Sequence, residues 1–86
     1  MGPDVGIGEG TIVEPGAYIA GPTVIGANCR IRHTAYIRGH CLIGDGCTVG
    51  HATELKKVIM LPGAAVPHLA YVGDSILGRR INLGAG

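Results

Sequence analysis

The sequence is organised by an aliphatic residue at every sixth position. The series is unbroken over ten positions: Ile7, Val13, Ile19, Ile25, Ile31, Ile37, Ile43, Val49, Leu55 and Leu61. A second series lies four residues after the first, and its members are mostly small or β-branched: Thr11, Ala17, Thr23, Cys29, Ala35, Cys41, Cys47, Thr53, Ile59 and Ala65. Because side chains alternate across a strand, each hexad predicts one short strand whose two ends point inward, followed by a corner.

Three such strands make one coil of 18 residues with three flat faces. Glycine or asparagine stands at several of the corners (Gly10, Gly16, Asn28 and Gly46), as expected where the backbone adopts positive φ. This pattern resembles the hexapeptide-repeat family, whose fold is a left-handed parallel β-helix shaped as a triangular prism. The resemblance implies an all-β chain of about four to five coils, forming a single domain over residues 1–86. The left hand comes from the resemblance, because parallel crossovers are usually right-handed.

The repeat is predicted to change register late in the chain. The inward series holds through Leu61, breaks near residues 61–64, and resumes with Ala65, Tyr71, Leu77 and Leu83. Insertions in repeat arrays are commonly placed on a binding face, but a plain surface loop fits the pattern equally well.

Composition excludes several classes of partner. A net charge of +1 with 15% charged residues provides no polybasic surface for nucleic acid. No apolar run reaches the roughly 20 residues that a membrane span needs. The three cysteines occupy inward positions and lack metal-binding spacing, so we expect buried thiols and a reducing cytoplasmic location.

Residues 18 apart stack at about 4.8 Å, so the sequence can be read as columns along the prism. Val24, Leu42 and Met60 form an outward apolar column, which is typical of a partner surface. For the hexapeptide-repeat family the implied partner is two further copies of the chain, and we therefore expect a homotrimer that uses this column.

Two other columns are interpreted as structural. Tyr18, Tyr36 and Glu54 follow one another on an outward face, where stacked rings stabilise a sheet. Glu14 lies one coil before Arg32, which predicts an ordinary surface ion pair.

Arg38 and Lys56 stack one coil apart, with like charge next to like charge. Such a pair is unfavourable unless the side chains splay apart or an anion lies between them. The column therefore predicts a site for phosphate or another anion, with a solvated surface as the alternative.

The histidines offer two further hypotheses. His33 and His51 lie one coil apart in one outward column and could share a metal ion, but no third ligand converges in sequence, so no metal is predicted. His68 stands at the register break and could accept a proton near neutral pH, although a single loop histidine is more often structural.

Three segments carry a closer resemblance. These are Thr53-Glu54-Leu55-Lys56-Lys57, His68-Leu69-Ala70-Tyr71-Val72-Gly73-Asp74 and Ile81-Asn82-Leu83-Gly84-Ala85-Gly86. Together they resemble the acetyltransferase domain of the bifunctional N-acetylglucosamine-1-phosphate uridylyltransferases and related sugar nucleotidylyltransferases. That domain works as a trimer and transfers acetyl from acetyl-CoA to the amine of glucosamine 1-phosphate.

The resemblance implies a role for each matching residue. His68 would be the general base, Arg38 and Lys56 would hold the sugar phosphate, and Tyr71 and Asn82 would contact the sugar or its phosphate. The family's coils continue beyond Gly84-Ala85-Gly86 to most of the surface that binds acetyl-CoA, so we expect this chain to lack most of the donor site. The expected function is a sugar-phosphate N-acyltransferase-like domain that is incomplete or inactive alone, and the alternative is a non-catalytic trimerising module.

Overall fold

The computed structural model describes residues 4–79, and all of the regular secondary structure in this range is strand. This part of the chain contains no helix of the length and apolarity needed to cross a membrane. The strands are β1 (Val5–Ile7), β2 (Ile12–Val13), β3 (Tyr18–Ile19), β4 (Thr23–Ile25), β5 (Arg30–Ile31), β6 (Tyr36–Ile37), β7 (Cys41–Ile43), β8 (Thr48–Val49), β9 (Glu54–Met60), β10 (Ala65–Val66) and β11 (Tyr71–Leu77).

Every strand pairs in parallel with the strand one coil away. The first face consists of β1, β4, β7 and the C-terminal halves of β9 and β11. The second face is the four-stranded sheet of β2, β5, β8 and β10, and the third face consists of β3, β6 and the N-terminal halves of β9 and β11. The predicted fold, a left-handed parallel β-helix, is confirmed, with about four coils in the described range.

The core is a stack of aliphatic side chains in the predicted inward positions. Five isoleucines, Ile19, Ile25, Ile31, Ile37 and Ile43, are at most 1% exposed. The three cysteines, which are unpaired thiols, fill the small inward positions beside them, as expected. Thr23 and Thr53 are also buried, and each hydroxyl donates a hydrogen bond to a backbone carbonyl. Within residues 4–79 no buried side-chain polar atom lacks a hydrogen-bond partner, as a stable core requires.

The change of register lies at Lys57, earlier than the predicted position near residues 61–64. Ile25 pairs with Ile43, a separation of 43 − 25 = 18 residues, whereas Leu42 pairs with Ile59, a separation of 59 − 42 = 17. One residue is therefore missing from the corner between Leu55 and Val58. Lys57 closes this corner with φ 54°, and Asp74 closes the corresponding corner of the next coil with φ 49°.

The shortened corner reverses the predicted side of several residues. Met60 was expected on the surface but is buried at 1% exposure, while Ile59 and Leu61, expected inside, are 37% and 38% exposed. Tyr71 was also expected inside and is exposed. The inward positions after the short corner are instead occupied by Val58, Met60, Ala64, Val66 and Val72.

The outward apolar column of the first face must be corrected accordingly. Its members are Val24, Leu42, Ile59 and Ile76, which pair with one another from coil to coil and are all exposed. We call this set the apolar stripe. Met60 belongs to the core and cannot take part in a partner surface.

The corrected register predicts opposite effects for two neighbouring residues. Met60→Ala should lower the free energy of unfolding by about 2–5 kcal/mol, because it leaves a cavity in the core. The control Leu61→Ala should lower it by about 1 kcal/mol or less, because that residue is 38% exposed and its removal leaves no enclosed cavity. Chemical denaturation monitored by circular dichroism measures both, and equal losses in the two variants would contradict the register.

Candidate functional site

The outward column of the third face combines aromatic and charged side chains. Tyr18, Tyr36, Glu54 and Tyr71 succeed one another in register along this face. The rings of Tyr18 and Tyr36 meet edge to face, with centroids 5.4 Å apart and planes at 87°. The predicted column is therefore present, and the short corner adds Tyr71 to it.

Arg38 and Lys56 lie side by side at the edge where the third face turns into the first. Their coils are joined directly by the backbone N–H of Arg38, which donates to the carbonyl of Leu55 at 2.8 Å. The Arg38 guanidinium Nη1 also donates to Glu54 Oε2 at 2.8 Å. This hydrogen bond to a carboxylate raises the pKa of Arg38, so the guanidinium remains charged. Among the described residues, no carboxylate lies within ion-pair distance of Lys56.

Tyr71 brings a hydroxyl to the same edge. Gly73 follows Arg38 and Lys56 in their column, because it pairs with Lys56. A Cβ on Gly73 would lie 2.7 Å from the Tyr71 hydroxyl, so the phenol extends over the space that a side chain would fill. The missing side chain at Gly73 thus leaves room for the Tyr71 hydroxyl at the edge that carries Arg38 and Lys56.

The opposite edge of the third face carries a column of three histidines. The rings of His33 and His51 stack with centroids 4.9 Å apart and planes at 11°. The rings of His51 and His68 stack at 4.8 Å and 1°. We call these three residues the histidine column. His51 is partly buried between the other two rings, which are exposed.

Backbone contacts hold the histidine column together. The N–H of Ala52 donates to the carbonyl of His33 at 3.2 Å, and the N–H of Leu69 donates to the carbonyl of His51 at 3.0 Å. The buried hydroxyl of Thr53 donates to the carbonyl of Pro67, the residue before His68, at 2.5 Å. The corner that presents His68 is therefore tied to the preceding coil on both sides of the imidazole.

The charged neighbours of the histidine column are at its N-terminal end. Glu14 Oε1 lies 3.0 Å from Arg32 Nε and accepts the backbone N–H of His33 at 2.9 Å, so the predicted ion pair with Arg32 is confirmed. The same oxygen lies 3.4 Å from His33 Nδ1. The hydrogen bond from Arg32 lowers the pKa of Glu14 and keeps the carboxylate ionised. Burial, followed by the neighbouring His33 and His68, lowers the pKa of His51 and favours its neutral form.

The three histidines do not form a metal centre in this arrangement. Residues 4–79 contain no group of three or more histidine, cysteine or acidic side chains placed to hold a metal ion. Parallel stacked rings direct their nitrogens along similar lines, whereas a tetrahedral ion requires ligands that converge.

Four of the five predicted site residues border the third face. Arg38, Lys56 and the Tyr71 hydroxyl lie along one edge, and His68 lies at the other edge, while Asn82 lies outside the described residues. The sequence analysis missed the place of His68 in the histidine column, because an unchanged 18-residue spacing from His51 leads to Leu69. The sequence feature that could have indicated the shorter corner is the aliphatic pair Val58 and Met60, because both can point inward only if that corner lacks one residue.

Gly50 provides a test of how tightly the His68 corner is packed. A Cβ on Gly50 would lie 2.5 Å from the backbone nitrogen of His68, so Gly50→Ala should force the two coils apart. We expect a loss of about 1–3 kcal/mol in the free energy of unfolding, together with shifted ring-proton resonances of His68.

Gly6→Ala is the matched control, because a Cβ at Gly6 has no atom within 4 Å. It should change stability by less than about 1 kcal/mol and leave the His68 resonances in place. A Gly50→Ala variant as stable as Gly6→Ala would show that the coils are not in close contact there.

Comparison with known proteins agrees with this architecture. The family model described as the GMPPB C-terminal domain matches residues 19–86. The chain is also similar to curated proteins named bifunctional protein GlmU. The protein from Alkalilimnicola ehrlichii is 45% identical over 83 residues, and that from Nitrosomonas eutropha is 41% identical over 83 residues; each alignment covers 96% of this chain. The protein from Carboxydothermus hydrogenoformans is 31% identical over 119 residues, covering 100% of the chain.

The match covers a small part of these relatives. The chain spans 18% of the length of the first two proteins and 27% of the third.

Proposed function

The chain belongs to the GMPPB C-terminal domain family and is similar to GlmU proteins, and we propose that its third face binds a sugar phosphate. We further propose that the bound amino sugar accepts an acyl group, with glucosamine 1-phosphate as acceptor and acetyl-CoA as donor. The observation that carries this proposal is the placement of Arg38, Lys56 and the Tyr71 hydroxyl along one edge of the third face. The sugar nucleotidylyltransferase type of the relatives fits a phosphorylated sugar as ligand.

Two cations and a phenol in this position suit a phosphate group. The guanidinium can donate two parallel hydrogen bonds to phosphate oxygens, and the ammonium and the hydroxyl can donate further ones. Glu54 holds the Arg38 side chain over the face, but both side chains of this ion pair are exposed to solvent. A phosphate dianion can therefore compete with Glu54 for the guanidinium, since exposed ion pairs are weak.

His68 is suited to the proton transfer that the acyl transfer requires. An amine that attacks the thioester carbonyl loses a proton, and a neutral imidazole can accept it. The attack forms the C–N bond, and collapse of the tetrahedral intermediate then breaks the C–S bond, leaves the amide and releases the CoA thiolate, which can take the proton from the imidazolium. His68 lies three residues before Tyr71, so a substrate that contacts both edges would lie across the exposed Tyr71 ring.

The apolar stripe supports a second function, which is assembly. Val24, Leu42, Ile59 and Ile76 present contiguous apolar side chains on the first face. An exposed apolar patch of this kind is typical of a protein interface. The alternative proposal is a non-catalytic module that trimerises through the apolar stripe.

Neighbouring lysines give a sharp test of sugar-phosphate binding. Lys56→Gln should weaken binding of glucosamine 1-phosphate by about 10- to 100-fold, because it removes a charged hydrogen bond to the phosphate. Lys57→Gln makes the same change of charge at the exposed corner and should leave the affinity within about twofold. Isothermal titration calorimetry measures both, and equal weakening would assign the effect to net charge alone.

Turnover separates the catalytic proposal from the structural alternative. Release of CoA thiol from acetyl-CoA in the presence of glucosamine 1-phosphate should be abolished in His68→Asn, while sugar-phosphate binding persists. Binding without turnover in the wild type would reject acyl transfer by this chain. A trimer in analytical ultracentrifugation, with no sugar-phosphate binding, would favour the module.

A further inference from the structure

The histidine column has a property that the proposed function does not use. His51 is covered on both sides by imidazole, with neighbouring ring centroids at 4.9 Å and 4.8 Å. The side chain of His51 is partly buried. The hydrogen bond from the backbone N–H of Leu69 to the His51 carbonyl fixes the next corner. The orientation of the His68 ring therefore depends on the ring of His51.

Protonation of such a column cannot proceed independently at each ring. An imidazolium carries a full positive charge, and two of them stacked at about 5 Å repel each other. The groups that face His51 are His33, His68, Arg32 and Glu14. The carboxylate of Glu14 compensates charge at the His33 end, where it also contacts Arg32, and the His68 end has no such partner among the described residues.

We propose that His51 is a positioning residue for His68: its ring holds the His68 imidazole flat at the edge of the third face, and a proton on one of the two rings disfavours a proton on the other. The inference deepens the proposed function and rests on it for the role of His68 in transfer. The stacking and the coupled protonation follow from the column itself and can be measured without any activity.

The coupling has a consequence for a general base. The pKa of His51 is lowered by burial and by its histidine neighbours, so His51 is neutral at neutral pH and adds no positive charge beside the base. A neutral ring beside His68 leaves it able to accept a proton from an amine. A charged ring in its place would make that transfer less favourable.

The test is a titration of the four histidines by nuclear magnetic resonance between about pH 8 and pH 5, following the ring C–H protons. His40 lies on a different corner from the column and serves as an internal reference. His51 and His68 should titrate with apparent Hill coefficients below one. A single-site curve for His68 in the wild type would overturn the proposal, whatever the variants show.

Two substitutions of His51 separate stacking from charge. His51→Phe keeps an aromatic ring and removes the titrating group, so His68 should retain its upfield ring-current shift and acquire a single-site curve. His51→Ala removes the ring as well, so the upfield shift should disappear. An unchanged His68 spectrum in His51→Ala would also overturn the proposal.

Activity distinguishes this inference from the proposed function. If transfer is observed, the acidic side of the pH profile of kcat/KM should become steeper in His51→Phe and follow the titration of a single group. Coupled titration in a chain that binds no glucosamine 1-phosphate would support the histidine column and reject the proposed function. A single-site His68 in an active chain would reject the column and leave the proposed function standing.

Discussion

Parallel backbone pairing between successive coils is the constraint on which the rest of this structure depends. Each strand forms backbone hydrogen bonds with the strand one coil away, so a residue points to the same side of its face as the residue with which it pairs. This pairing places similar side chains next to one another in successive coils. It accounts for the isoleucine core, the apolar stripe and the histidine column. A change of a single residue in one corner therefore moves every later side chain in the coil, and the corner at Lys57 makes that change.

The two edges of the third face differ in the chemistry that this pairing assembles. At one edge, Arg38, Lys56 and the Tyr71 hydroxyl gather because Gly73 leaves room for the phenol. At the other edge, backbone hydrogen bonds and the hydroxyl of Thr53 present His68 on a firmly held corner. The proposed function requires one edge that binds phosphate and another that accepts a proton from the amine, and these two edges are proposed for those roles. The core beneath both edges is aliphatic, and its buried polar groups are satisfied within the described range.

The sequence predicted the fold well, because a six-residue period with two inward positions is compatible with few other structures. It also placed Tyr18, Tyr36 and Arg38 correctly, since they precede the short corner, and Lys56, since it is the first residue of that corner. It misplaced Met60, Ile59 and Tyr71, because aliphatic residues at 59, 60 and 61 satisfy the period in either register. The choice between registers depends on which corner loses a residue, and this is decided by packing between coils. Two side-chain contacts could not be predicted from the spacing of residues along the sequence. They are the ion pair of Arg38 with Glu54 and the approach of Tyr71 to Gly73.

The central claim is that the shortened corner at Lys57 sets the register of the site, and side-chain contacts in solution test it most directly. A nuclear Overhauser spectrum with labelled methyl groups should show Leu42 in contact with Ile59 on the surface, and His51 ring protons in contact with those of His68. Contacts of Leu42 with Met60, together with a His51 ring next to Leu69 and distant from His68, would contradict the account.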